Sequence, residues 1–171
     1  ISVSAFLLNR SSDLDLITLM NKNYAICTAE ECTCGLIGAA IASQEYAQRW
    51  YKGSITVYTE EEAVKILDVM PSAIMRNDFV SCQVVQQMVM KALEKFGTNL
   101  CVGVVGYIDG FGSTDIQAGD VQICVGKSNS NGISFKYKKI NVEGQDRGKN
   151  IEVAIKEALR LVMDSIMDIG D

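Results

Sequence analysis

Apolar positions along this chain switch repeatedly between strand-like runs and helical spacing. Tyr24 to Thr28 reads as a short strand, and the helix expected over roughly Thr33 to Ser43 is apolar nearly all round, the pattern of a buried helix. Gly53 to Tyr58 is rich in β-branched and aromatic residues and predicts a second strand. Thr59 and Glu62 have capping-box spacing and open a helix through Val64, Ile66 and Leu67. The clearest helical period covers Ser81 to Phe96, where Val84/Val85, Met88/Val89, Ala92/Leu93 and Phe96 share one face until Gly97-Thr98 ends it. Asn99 to Ile108 is continuously apolar, as in a strand buried on both faces. Asp120 to Val125 and Ile133 to Val142 predict two strands joined by a hairpin turn over Ser128 to Gly132. A last helix is expected from about Lys149 to Ile169, with Ile151, Ile155, Leu159, Val162 and Ile166 on one face. Upstream, Ser12 and Asp15 repeat the capping spacing and predict a helix to about Lys22, after an apolar segment at 1–11 that reads as an extension or a subunit contact. Helix and strand mostly alternate. The expected fold is α/β: one three-layer α/β/α domain over 1–171 with a mixed sheet.

Composition narrows the function classes. With 48% hydrophobic and 22% charged residues and a single proline, Pro71, the chain reads as an ordinary globular domain without a Pro-rich linker. A net charge of −5 and scattered lysines argue against nucleic acid as partner; the one cluster, Lys136, Lys138 and Lys139, reads as a solvated strand face. No apolar run is long enough to span a membrane. The start at Ile1 reads as trimmed, and Val3 to Leu8 is too short and lacks the basic lead of a signal peptide. Four of the six cysteines sit in apolar runs, the usage of reduced thiols, so a cytoplasmic protein is expected.

The absence of histidine removes Ser-His and Cys-His catalysis and His-ligated metals. Attention falls on Tyr24 to Leu36, YAICTAEECTCGL, where a strand breaks into two carboxylates, two thiols and a glycine just before a helix. Such a turn offers free amides and a helix dipole to a ligand. Cys32 and Cys34, beside a helix N-terminus, are placed for a lowered thiol pKa, although Cys-x-Cys is not the redox spacing. A metal site from Cys32, Cys34, Glu30 and Glu31 would be strained because neighbours point apart; no metal and no cofactor are expected. Downstream, Asp109 to Gly119 is a glycine-rich loop where backbone can approach a ligand. Met70, Met75, Met88 and Met90 read as core or interface filler.

Several segments, in order, resemble the CinA C-terminal-domain family, the nicotinamide-nucleotide amidases. That family's opening motif, Thr-Ala-Glu-Ser-Cys-Thr-Gly-Gly, stands here as Thr28-Ala29-Glu30-Glu31-Cys32-Thr33-Cys34-Gly35. Its second segment, a glycine-led strand ending Tyr-Ser-Asn-Glu-Ala-Lys and then Leu-Gly-Val, corresponds to GSITVYTEEEAVKILDV from Gly53 to Val69. Val80-Ser81 matches a helix start, Val104-Val105-Gly106 the strand before the glycine loop, and Gln145-Asp146-Arg147 the lead into the last helix. The resemblance runs from about residue 12 to the end. It implies hydrolysis of the amide of nicotinamide mononucleotide by a serine nucleophile assisted by a lysine, without a metal.

This chain departs from that pattern where the chemistry lies. Glu31 holds the Ser position, Ala63 the Lys position, Val105 that of a Thr, Cys34 the first of the paired glycines, and Ile151 that of a second Arg. Asp109-Gly110-Phe111-Gly112 replaces Gly-Pro-Gly-Gly. Three readings follow. In the first, the amidase chemistry is lost and a binding or scaffolding role is kept, with Glu30, Cys32, Thr33, Tyr58, Gly106 and Arg147 around a nucleotide-like small molecule. In the second, Glu31 is the catalytic group, a general base on water whose pKa burial must raise. In the third, the chain is a structural subunit of a homo-oligomer, joined through its N-terminal segment and Met-rich helix. Glu30 and Glu31 would repel a ligand phosphate, at roughly 4 kcal/mol for unit charges about 4 Å apart in a partly screened site.

Overall fold

The structure is a computed structural model that describes residues 23–109, 117–144 and 146–167. The expected helix to Lys22, the 1–11 segment and most of the glycine-rich loop lie outside the described residues. Five strands form one sheet in the order β2-β1-β3-β4-β5: β1 Ile26–Glu30, β2 Tyr51–Thr56, β3 Leu100–Gly106, β4 Asp120–Asn129 and β5 Gly132–Asn141. β1 pairs in parallel with β2 and β3, while β4 and β5 run antiparallel. The mixed sheet expected from the alternation of elements is therefore present.

Two helical layers cover the sheet. On one face, α1 (Leu36–Ala42) and α5 (Arg147–Met167) pack on Ile26, Leu100, Val102, Val104, Ile123 and Val125. On the other, α2 (Glu60–Leu67), α3 (Pro71–Asn77) and α4 (Cys82–Phe96) pack on Cys27, Ala29, Cys101, Val105 and Cys124. The period of two in each strand sends alternate side chains to the two cores. β1 and β3 are buried at every position, and β3 is the continuous apolar run such a sheet needs at its centre.

The capping signal at Thr59 holds, and Ser81 adds a second cap. Thr59 accepts the Glu62 N–H at 3.2 Å and Ser81 accepts the Val84 N–H at 3.3 Å, opening α2 and α4. Gly97 at φ +62° ends α4 in the left-handed conformation that favours glycine. Other expectations shift. β1 starts and ends two residues later than read from sequence, so Glu30 is its last member. β2 lies at Tyr51–Thr56, ahead of the expected Gly53 to Tyr58, and α5 begins at Arg147. β4 extends to Asn129, which pairs with Gly132, so the hairpin turn shrinks to Ser130-Asn131. α3 and a short 3-10 turn at Ala47–Arg49 were not predicted, because seven residues or fewer carry too little period.

α1 is shorter than Thr33 to Ser43 and is not apolar-buried all round: Ile37, Gly38, Ala40 and Ile41 face the core, while Ala39 and Ala42 are exposed. The lysines of β5 are more engaged than a merely solvated face. Lys138 pairs with Glu157 of α5 at 2.6 Å, Lys139 with Asp120 at 2.8 Å, and Lys136 donates to the Asp164 carbonyl at 3.1 Å. Among the methionines, Met88 is fully buried in the core, whereas Met70, Met75 and Met90 are exposed.

Candidate functional site

From β1 the chain moves outward through α1 to β2, then returns through α2, α3 and α4 to β3 on the other side of β1. That reversal makes the carboxyl ends of β1 and β3 the switch point of the sheet, and in open α/β sheets this is where ligands bind. Glu31, Tyr58, Gly106 and Arg147 converge on this end of the sheet.

The two adjacent glutamates leave β1 in opposite directions, and their surroundings differ sharply. Glu30 is fully buried beneath α1. One of its oxygens accepts from the Thr28 hydroxyl at 2.8 Å, the Gly38 N–H at 2.8 Å and the Ser54 hydroxyl at 3.4 Å. The other accepts from the Thr33 hydroxyl at 2.6 Å and the Ile37 N–H at 3.0 Å. Glu30 thus clasps the start of α1 to β1 and β2. Gly38 makes the approach possible, since a Cβ there would lie 2.4 Å from the Tyr51 hydroxyl. The free helix amides expected at this turn are therefore taken up inside the protein. Glu30 and Thr33, expected to bind substrate, point both oxygens and hydroxyl inward, and Cys32 is equally buried. Glu30 and Thr33 hold the turn together through these bonds, and Cys32 packs beneath it.

Glu31 faces the other way. Its own N–H continues the ladder to Val104 at 3.0 Å, and its carboxylate accepts the Gly106 N–H at 2.9 Å. Burial, at 9% exposure, pushes its pKa up to about 7, against the pull of the Gly106 and Cys32 amides and of the Arg147 charge. The shift runs in the direction a general base near neutral pH requires, and burial is its cause. Gly106 permits this contact because a Cβ there would meet Val121 at 2.7 Å and the Cys32 sulfur at 3.2 Å.

At the rim, Arg147 donates to the Tyr58 hydroxyl at 2.8 Å and pairs with Asp109. Sequence reasoning placed Tyr58 and Arg147 in the site separately; the structure joins them. Asp109 and Tyr107 were missed as individual residues. The Tyr107 hydroxyl donates to Asp78 at 3.0 Å, and burial followed by this bond pushes its pKa up to about 12. Its place directly after Gly106 was the only available signal.

The thiols behave contrary to the helix-terminus expectation. Burial raises the Cys32 pKa well above its ordinary value, and burial followed by the Glu31 charge raises that of Cys34. Cys34 at φ +49° and Gly35 at φ +85° form a left-handed turn where the resemblance has paired glycines. Ala63, at the expected lysine position, is buried in the α4-side core, and Lys65 pairs with Glu62 on the surface. Ile151 packs against the α5-side core. No group of three metal-ligating side chains occurs among the described residues.

The profile of the CinA C-terminal domain matches residues 13–166. This chain belongs to the CinA C-terminal domain family. A CinA-like protein of Flavobacterium psychrophilum is 31% identical over 150 residues, covering 87% of this chain and 35% of that protein. A CinA-like protein of Mycobacterium marinum is 31% identical over 112 residues, covering 65% of this chain and 26% of that protein. The chain thus spans about a third or less of these relatives. Among solved structures, the competence damage-inducible protein A of Klebsiella pneumoniae superposes with a TM-score of 0.86 at 20% identity, covering 94% of this chain and 98% of that one. The competence/damage inducible protein CihA of Agrobacterium tumefaciens gives 0.82 at 22% identity, covering 90% and 92%. At such identities these structures establish the shared fold, and the α/β/α architecture agrees with both.

Proposed function

We propose that this chain is a ligand-binding member of the CinA family in which a buried carboxylate replaces serine chemistry, taking a nucleotide-like small molecule at the carboxyl ends of β1 and β3. The observation that carries this reading is the Glu31–Gly106 hydrogen bond of 2.9 Å, which fills the turn where the resemblance places a nucleophilic serine. A carboxylate attacking an amide would form an anhydride, which is more reactive than the amide it came from, so the substitution gains nothing as a nucleophile. The assisting ammonium is also missing, with Ala63 closed into the core. Charge indicates what a ligand presents. Glu31 favours a hydrogen-bond donor such as a carboxamide N–H, while Arg147 at the rim favours an anionic group such as a phosphate.

A second reading is supported by one specific observation, the raised pKa of Glu31. Near pH 7 such a carboxylate can take a proton from water as the oxygen adds to an amide carbon; the C–N bond then breaks and ammonia leaves with the proton. Calorimetry with nicotinamide mononucleotide, combined with an ammonia assay, separates the two. Saturable binding without ammonia release supports the binding reading. Ammonia release that disappears in Glu31→Gln would establish the second reading, and an absence of nucleotide binding would sink both.

A further inference from the structure

Arg147 is the one cation among the described residues whose charge acts on Glu31 and Cys34. An anionic ligand group at this end of the sheet therefore depends on it. Its guanidinium is nevertheless engaged on both sides. One terminal nitrogen pairs with the Asp109 carboxylate, and the other donates to the Tyr58 hydroxyl at 2.8 Å. An arriving ligand meets this charge already compensated.

The fold itself puts Asp109 there. Asn150, buried in the first turn of α5, donates to the Ile108 carbonyl at 3.0 Å and fixes the residue before Asp109 against that helix. Asp109 is thereby held beside Arg147, the residue that opens α5. The helix start gives an anion no second partner, because Asp146 takes what it offers. Its carboxylate accepts the Lys149 N–H at 3.1 Å, with the Gly148 amide nearby, and pairs with the Lys149 ammonium at 3.3 Å. The charges acting on the neighbouring Tyr107 hydroxyl are all negative, those of Asp78, Glu60 and Glu31.

We propose, resting on the binding reading above, that Asp109 is a specificity-determining residue: it holds the place of the ligand's anionic group on Arg147, as an internal competitor that a phosphate must displace. Displacement exchanges one carboxylate–guanidinium pair for a phosphate–guanidinium pair, and a phosphate fits the same fork. At side-chain exposures of 43% for Arg147 and 54% for Asp109 the existing pair is screened by water, so it lowers phosphate affinity by only about two- to fivefold. A ligand without a phosphate leaves Asp109 in place and loses nothing. The contact thus narrows the advantage of phosphate-bearing ligands over their phosphate-free counterparts.

Two kinds of probe isolate the contact. Nicotinamide mononucleotide and nicotinamide riboside differ by the phosphate alone and are compared by calorimetry. Inorganic phosphate is titrated into ¹⁵N-labelled protein while the Arg147 Nε–H cross-peak is followed, with ionic strength held constant by sodium chloride. Asp109→Asn keeps an oxygen and loses the charge, and both partners lie at the surface, so folding is not at issue. In this variant the dissociation constants of the mononucleotide and of phosphate should fall about two- to fivefold, while that of the riboside does not fall. With Arg147→Gln as the background, the same substitution should tighten neither. Phosphate binding that is absent, unchanged or weaker in Asp109→Asn would overturn the proposal, as would an equal gain for the riboside or a gain that survives in Arg147→Gln. Phosphate that tightens as expected while neither nicotinamide compound binds would uphold the role of Asp109 and sink the nucleotide reading. Mononucleotide binding indifferent to Asp109 would do the reverse.

Discussion

Replacing Glu31 by glutamine should stabilise the protein above neutral pH and do almost nothing in acid. The reasoning rests on burial. Removing a carboxyl from water disfavours its charged form, and at 9% exposure Glu31 is pushed from an ordinary value of 4.5 to about 7. Below about pH 4.5 the group is protonated in both folded and unfolded chains and makes no difference. Between 4.5 and 7 the unfolded chain releases its proton while the folded chain keeps it, so stability falls as pH rises. Above pH 7 both states are ionised and the full penalty is present. Two and a half pH units, at about 1.4 kcal/mol each, give a penalty of about 3 kcal/mol. Glutamine keeps an oxygen for the Gly106 N–H and carries no charge, so it relieves most of this. Urea denaturation of both proteins at pH 4.5 and pH 8 measures the difference, and subtraction cancels every other titrating group. Agreement within about 0.5 kcal/mol in acid is expected, with a gain of up to about 3 kcal/mol at pH 8, or about 6–12 °C in Tm for a domain of this size. A difference that is the same at both values, or a variant less stable at pH 8, would show that the Gly106 amide and Arg147 compensate the carboxylate fully.

Three further substitutions probe the same end of the sheet. Glu30→Ala strands the Ile37 and Gly38 amides and should cost about 4 kcal/mol by chemical denaturation, since each buried backbone donor left without an acceptor costs about 1–3 kcal/mol. Gly106→Ala puts a methyl 2.7 Å from Val121 and 3.1 Å from the Asp120 carbonyl, so overpacking should destabilise by about 1–3 kcal/mol in the same assay. Arg147→Ala removes a positive charge that lowers the Glu31 pKa, so that pKa should rise, visible as a higher midpoint when the Gly106 amide shift is followed against pH. Because Arg147, Asp109 and Tyr58 are largely exposed, the same variant should change stability by less than about 1 kcal/mol.

Much of the fold was legible because long, buried elements write a strong period. α4 repeats its apolar positions over four turns and β3 is apolar throughout, and both were bounded to within two residues or so. What the sequence did not show lies where one residue's partner is distant along the chain. Read alone, Tyr24 to Leu36 gave no sign that Ser54 and Gly38 would close around Glu30, so the carboxylate looked like a ligand group and the helix amides looked free. The pairing of Arg147 with Tyr58 spans 89 positions and follows only from the sheet order. Short elements such as α3 carry too few residues for either period to show.

The neighbouring glutamates divide this turn into a part that serves the fold and a part that the fold does not explain. Glu30 has five donors and belongs to the architecture, and its removal should be felt throughout β1, β2 and α1. Glu31 accepts the Gly106 N–H at 2.9 Å, with the Cys32 amide nearby, and sits in surroundings that disfavour its charge. A carboxylate disfavoured in its charged form, whose side chain ties only the last residue of β3, is poorly explained by stability alone. Local departures of this kind concentrate at functional sites, where the cost is tolerated for what the group does to a ligand. By the burial argument serine at this position would fold at least as well above pH 7, so the binding role proposed above accounts for the carboxylate better than stability does. The ligand to seek is one with a donor for Glu31, and loss of its binding in the more stable Glu31→Gln protein would separate function from folding in a single variant.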